Sequence, residues 1–161
     1  MKHKAVITVL IVLIVLTVGF IWNNSRKPEE QSNGDSQVIA ERVEQIVKAG
    51  SKGEEKISYR VLFGKVRKAA HAVEFFTLGL EMTALCFVVS KKLSFQKIWN
   101  VISAALAVAV TDESIQILSG RGPKVEDVLL DLCGASAGIL IALIIGLIAS
   151  HIKKEKKYGK A

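Results

Sequence analysis

Four long apolar runs limit what this chain can become. Residues 5–22, 69–90, 98–118 and 128–150 are apolar almost throughout. A helix rises about 1.5 Å per residue, so roughly 20 such residues cross a hydrocarbon core about 30 Å thick. Inside lipid every backbone N–H and C=O must find its partner within the protein, and a single apolar run achieves that as a helix. A chain of 161 residues that is 50% hydrophobic, with a mean hydropathy of +0.37, is too apolar for a soluble domain of this size. Roughly half of it lies in lipid on this reading, which leaves no room for a second globular domain. The expected fold class is all-α: an integral membrane four-helix bundle with short extramembrane amphipathic helices.

The runs divide the chain into an N-terminal transmembrane anchor over 1–22, a polar linker with an amphipathic helix over 23–58, a three-span core over 59–150 and a basic cytoplasmic tail over 151–161. The first run is longer than the about 7–15 residues of a signal-peptide core. NNSRKPEE follows it without a small-x-small cleavage site, so a retained anchor is expected. In the linker, Ile39, Val43, Ile46 and Val47 fall at helical spacing over 36–49. Asp35 or Ser36 can cap that helix and Gly50 can end it. Further on, Ile57, Val61, Leu62 and Val66 alternate with Lys56, Arg60, Lys65 and Arg67. Two readings stay open there: a basic helix lying in the interface, or a plain extension of the second span.

The net charge of +7 does not point to nucleic acid, because the bases flank membrane spans. Lys153, Lys154, Lys156, Lys157 and Lys160 follow the last span and suit an anionic cytoplasmic leaflet. With Lys2, Lys4 and the short loop KKLSFQK they favour the cytoplasm for both termini of a multi-pass cell-membrane protein; the basic segment 23–68 nearly balances the count, but long loops are the weaker determinant. Cys86 and Cys133 fall at depths differing by roughly 20 Å if the spans run antiparallel, which argues against a disulfide.

Whichever way the chain inserts, the start of span two, the end of span three and the start of span four share one membrane face. His71, Glu74, Asp112, Glu113, Gln116, Arg121, Asp127 and Asp131 therefore converge. An ionised residue at a span centre costs about 2.5–3.5 kcal/mol by insertion scales, less near the ends. Such groups are tolerated when they pair or face water. Arg67, Lys68, Arg121 and Lys124 are the bases at that level, with arginine the bidentate partner for a carboxylate. Glu81 lies deeper, about 15 Å below His71, with no assigned base. The packing surfaces agree in phase. Gly134, Gly138, Ala142 and Gly146 form a small-residue line on span four, and Asp127 and Asp131 continue it. Ala105 and Ala109 lead into Asp112, Glu113 and Gln116 on span three.

Two segments resemble the VanZ-like family. YRVLFGKVRKAAHAVEFFTLGL, residues 59–80, is similar to that family's Arg-Lys-x-x-His-x-x-Glu-Tyr segment. TDESIQILSGRGPKVEDVLLDLCGASAG, residues 111–138, is similar to its Asp-Glu-x-x-Gln…Gly-Arg…Asp-Val-x-x-Asn/Asp-x-x-Gly segment. Arg67, Lys68, His71, Glu74, Asp112, Glu113, Gln116, Arg121, Asp127, Asp131 and Gly134 match, over roughly residues 59–148. Phe75 stands where tyrosine is usual, Glu81 stands where an apolar residue is usual, and a helical region precedes Tyr59. The family is named for a small bacterial membrane protein associated with resistance to teicoplanin, a lipid-tailed glycopeptide. The resemblance implies architecture more directly than mechanism.

Three functions remain open. A polar outward-facing pocket would bind a lipid-tailed glycopeptide or a polyprenyl-linked cell-wall precursor, with Arg67, Lys68 and Arg121 on its phosphate or carboxylate, and contribute to antibiotic resistance. A membrane-embedded enzyme would act on a lipid-linked phosphate or ester, with His71, Glu74, Asp112, Glu113 and Asp127 holding a divalent metal or moving protons. The spacing lacks a motif such as His-Glu-x-x-His, and neither Ser119 nor Cys133 has an evident general base. The spacing nonetheless resembles helix-borne metal sites; the pocket reading itself assigns no cofactor and no metal. A structural, partner-binding protein would use the cluster only as a packing lock.

Overall fold

The computed structural model describes residues 2–27, 39, 41–42, 45, 59–90, 94–120 and 124–158. Among these, four helices are long and apolar enough to cross a membrane. They are α1 (Lys2–Ser25), α2 (Tyr59–Val89), α3 (Phe95–Leu118) and α4 (Val125–Tyr158). The all-α bundle expected from the apolar runs is what forms. Ile39, Glu41, Arg42 and Gln45 are helical, and the rest of the predicted amphipathic helix lies outside the described residues. α2 is continuous from Tyr59, so the basic stretch up to Lys68 extends the second span as one helix. α1 runs to Ser25, three residues beyond the apolar run, and α4 carries the basic tail as helix to Tyr158.

The pairings follow from side-chain contacts. Ring Nε2 of His3 lies 2.9 Å from the Val88 carbonyl, and Asn24 meets Glu74, so α1 and α2 are antiparallel. Ser25 meets Asp112 and Ser119, so α1 and α3 run parallel. Gly134 sits on Ala72 and Gly138 on Phe76, so α2 and α4 run parallel too. α2 is central, touching α1, α3 and α4.

Lipid tails are as apolar as leucine, so helices in a membrane associate through close packing and hydrogen bonds. The small-residue line of α4 supplies the packing. A Cβ on Gly134 would strike the Ala72 carbonyl, and one on Gly138 the Phe76 carbonyl. Ala142 is buried and Gly146 faces the Phe87 ring. The contact is reciprocal: α2 offers Gly79, whose Cβ would strike the Ala135 carbonyl. Phe75, Leu78, Ala105, Ala109 and Ala135 form the core between the helices, joined by Ile21 from α1. Large apolar side chains point outward instead, with Val15, Val73 and Leu147 each more than 60% exposed. A water-soluble bundle buries such residues; here lipid covers them.

α3 ends at a tight turn. Gly120 has φ of 84°, a conformation costly for residues with a Cβ, and the Ser119 and Gly120 amides return to carbonyls of the last turn. Cys86 and Cys133 are both free thiols.

Candidate functional site

Of the polar residues predicted to converge, the seven that are described, His71, Glu74, Asp112, Glu113, Gln116, Asp127 and Asp131, lie at one end of the bundle. Asp112 is at the centre, fully buried. Its Oδ1 accepts from the Ser25 hydroxyl and its Oδ2 from the Gln116 amide at 2.8 Å. Gln116 is one helical turn beyond Asp112, and this spacing lets the pair close within α3. His71 of α2 places Nδ1 3.9 Å from Asp112 Oδ2, 3.8 Å from Glu74 Oε2 and 4.0 Å from Asp131 Oδ1. Three carboxylates from three helices thus surround one imidazole nitrogen.

Glu74 is held from the opposite side. The Asn24 side-chain amide donates to Glu74 Oε1 at 3.0 Å, which leaves Oε2 turned towards His71. Asp131 is 2% exposed, and its Oδ1 accepts no hydrogen bond among the described residues. Glu113 does a different job. Its Oε1 accepts from the Lys124 backbone N–H at 2.6 Å, just before the first residue of α4. A carboxylate there meets the positive end of the helix dipole, so α3 anchors the start of α4.

Lys68 sits on the rim, 3.6 Å from both Asp127 Oδ1 and Glu126 Oε2. It supports part of the expectation that bases neutralise the acids. The inner acids Glu74 and Asp112 accept hydrogen bonds from the neutral groups of Asn24, Ser25 and Gln116. Arg67 is half-buried on α2. Arg121 lies outside the described residues. Glu81 is set apart, as its position suggested, and its Oε1 accepts from the Thr17 hydroxyl at 3.2 Å.

Thr17, Asn24 and Ser25 were not singled out from the sequence. All three belong to α1, which read as an anchor followed by a linker. A signal was there. Thr17 interrupts an apolar run, and Asn23, Asn24 and Ser25 end that run at the level of His71 and Asp112. In lipid such groups need partners, and the neighbouring spans supply them.

Two apolar grooves lie towards the opposite end. One, of about 330 Å³, is lined by Ile14, Met82, Cys86 and Val101 among others. The other, of about 520 Å³, lies between α2 and α4 and is lined by Leu80, Ala84, Phe87, Ile145, Gly146 and Ala149 among others. The second continues the seam that carries Lys68, Glu126 and Asp127 at its polar end.

The family model described as VanZ/LLP1 matches residues 7–146, from within α1 to within α4. Comparison with curated proteins and with solved structures gives no match. The match covers most of the chain, and the four apolar helices are those of a bilayer-spanning bundle. This chain is therefore a multi-pass membrane protein belonging to the VanZ-like family.

Proposed function

We propose that the polar end of the bundle binds the head group of an amphiphile at the outer membrane face and in this way contributes to resistance against lipid-tailed glycopeptides. The head group belongs to teicoplanin or to a polyprenyl-linked cell-wall precursor. The observation that carries this reading is the α2–α4 seam. At its polar end Lys68 is held by Asp127 and Glu126, with Arg67 on the preceding position of α2. An ammonium there, with the Arg67 guanidinium at the same level of α2, suits a phosphate or carboxylate. Further down, the same seam opens into the apolar groove that begins at Leu80. Leu80 is nine residues beyond His71, about 14 Å along the helix axis, within reach of an acyl chain whose head is held at the polar end. Head and tail of one amphiphile therefore have matching surfaces on one seam. The candidate residues are Arg67, Lys68, His71, Glu74, Asp112, Glu113, Gln116, Arg121, Asp127 and Asp131, and both termini are cytoplasmic.

A susceptibility test in a glycopeptide-sensitive Gram-positive host checks this. Wild type, Lys68→Gln and Glu113→Gln are compared at matched membrane levels. The expected outcome is protection against teicoplanin but not against vancomycin, which lacks the acyl tail, with protection lost in both variants. A well-expressed wild type that protects against neither drug removes the resistance role.

A further inference from the structure

The geometry points to a divalent transition-metal site at the heart of the polar cluster, with His71, Asp112 and Asp131 as ligands and Glu74 as the fourth. One donor atom from each of the first three lies within 4.8 Å of the others. Glu74 Oε2 adds a fourth donor 3.8 Å from His71 Nδ1. Four donors around zinc, at about 2.0–2.2 Å from the ion, are separated by roughly 3.4 Å in a tetrahedron. The separations from His71 Nδ1 are 3.8, 3.9 and 4.0 Å. Small side-chain rotations, without movement of a helix, bring these atoms onto one ion. An imidazole with carboxylates suits zinc or manganese better than magnesium or calcium, which favour oxygen alone. The sequence leaves a divalent metal open only in the enzyme alternative, with Glu113 and Asp127 among its ligands; the structure turns Glu113 to the Lys124 N–H and Asp127 to Lys68, and brings Asp131 to His71 instead.

Two observations separate this cluster from a mere gathering of acids. Asp131 is 2% exposed, and its Oδ1 accepts no hydrogen bond among the described residues while facing His71. A buried carboxylate oxygen left in that state is costly unless a proton or a cation neutralises it, and a cation before it would satisfy Asp131, Asp112 and Glu74 together. The surrounding donors, in turn, orient the ligands as the outer shell of a metal site does. Asn24 takes the far oxygen of Glu74 and presents the near one. Ser25 and Gln116 fix the Asp112 carboxylate, whose oxygens each keep a second lone pair for an ion.

The inference goes beyond the amphiphile reading and does not depend on it. A cation would, however, turn an acid-lined centre into one that attracts phosphate. The test is metal binding by the untagged full-length chain, purified in detergent and stripped with a chelator. Zn²⁺ and Mn²⁺ are titrated separately by calorimetry, and elemental analysis is run on protein prepared without the chelator. The expected result is one ion per chain for at least one of the two metals. Asp131→Asn weakens that binding at least tenfold. Asn24→Ala, which keeps all four donors and removes only the group that aims Glu74, weakens it by about tenfold. Asn100→Ala, at the opposite end of the bundle, leaves it unchanged. Absence of saturable binding of either ion to a monodisperse wild-type protein overturns the site. So does an Asp131→Asn variant that binds as tightly as wild type. If a variant fails to elute as a folded species, the wild-type titration decides alone. Metal binding without teicoplanin protection would leave the site standing and the amphiphile reading refuted; protection by a chain that binds no ion would do the reverse.

Discussion

At the scale of the residue, Asp112 shows what holds the polar end together. It is fully buried and both its oxygens are occupied, one by Ser25 from α1 and one by Gln116 from its own helix. Removing the donor and removing the acceptor should then cost different amounts. Ser25→Ala loses one interhelical hydrogen bond, worth about 0.6–2 kcal/mol in a membrane protein. Asp112→Ala removes the acceptor of two hydrogen bonds, from Ser25 and from Gln116, and takes a carboxylate from beside His71, at about 3 kcal/mol or more. Thermal unfolding in detergent, followed by Trp22 fluorescence in a Trp99→Phe background, measures both; equal losses would refute the central role of Asp112. The acids and His71 were legible in the sequence because ionisable residues in an apolar run are conspicuous. Their partners were not. Asn24 and Ser25 are short, neutral and placed at a helix end, where the same residues serve equally well in a linker. Only the approach of α1 to α2 and α3 distinguishes the two uses.

At the scale of the element, the α2–α4 contact depends on backbone meeting backbone. Gly138 has no room for a Cβ against the Phe76 carbonyl, and that wall is main chain that cannot swing aside. Gly138→Leu is therefore expected to destabilise the bundle by about 1–3 kcal/mol or more through overpacking. Gly19→Leu is the matched control, since nothing lies within 4 Å of a Cβ at that position of α1. A melting temperature lowered by the first and unchanged by the second supports the packing; equal effects would count against it. The spans and the phase of the α4 line were readable because period and residue size are local properties. The role of Gly79 was not, because a single glycine in a helix carries no periodic signal until its partner, Ala135, is known.

At the scale of the whole molecule, the two ends differ. One gathers charge from α2, α3 and α4 and neutral polar groups from α1; the other carries apolar grooves. The proposed orientation puts the charged end outside the cell. In a background with Cys86→Ala and Cys133→Ala, Lys124→Cys at the polar end should react with a membrane-impermeant maleimide in intact cells, and Ser94→Cys at the other end should not. The opposite labelling would invert the topology and place the head-group site on the cytoplasmic side. The order in which helices pair has a further consequence for how the protein is made. α1 lies parallel to α3, and α2 lies parallel to α4, so each of these close contacts skips a neighbour in the chain. While the ribosome is still producing α3, the side of α2 that carries Ala72, Phe76 and Gly79 has no α4 to pack against, and Asp131 does not yet exist. The nascent bundle stays open until its last helix leaves the insertion machinery. A chain cut short anywhere before α4 would present Asp112, His71 and Glu74 without closure, a form that membrane quality control can recognise and degrade.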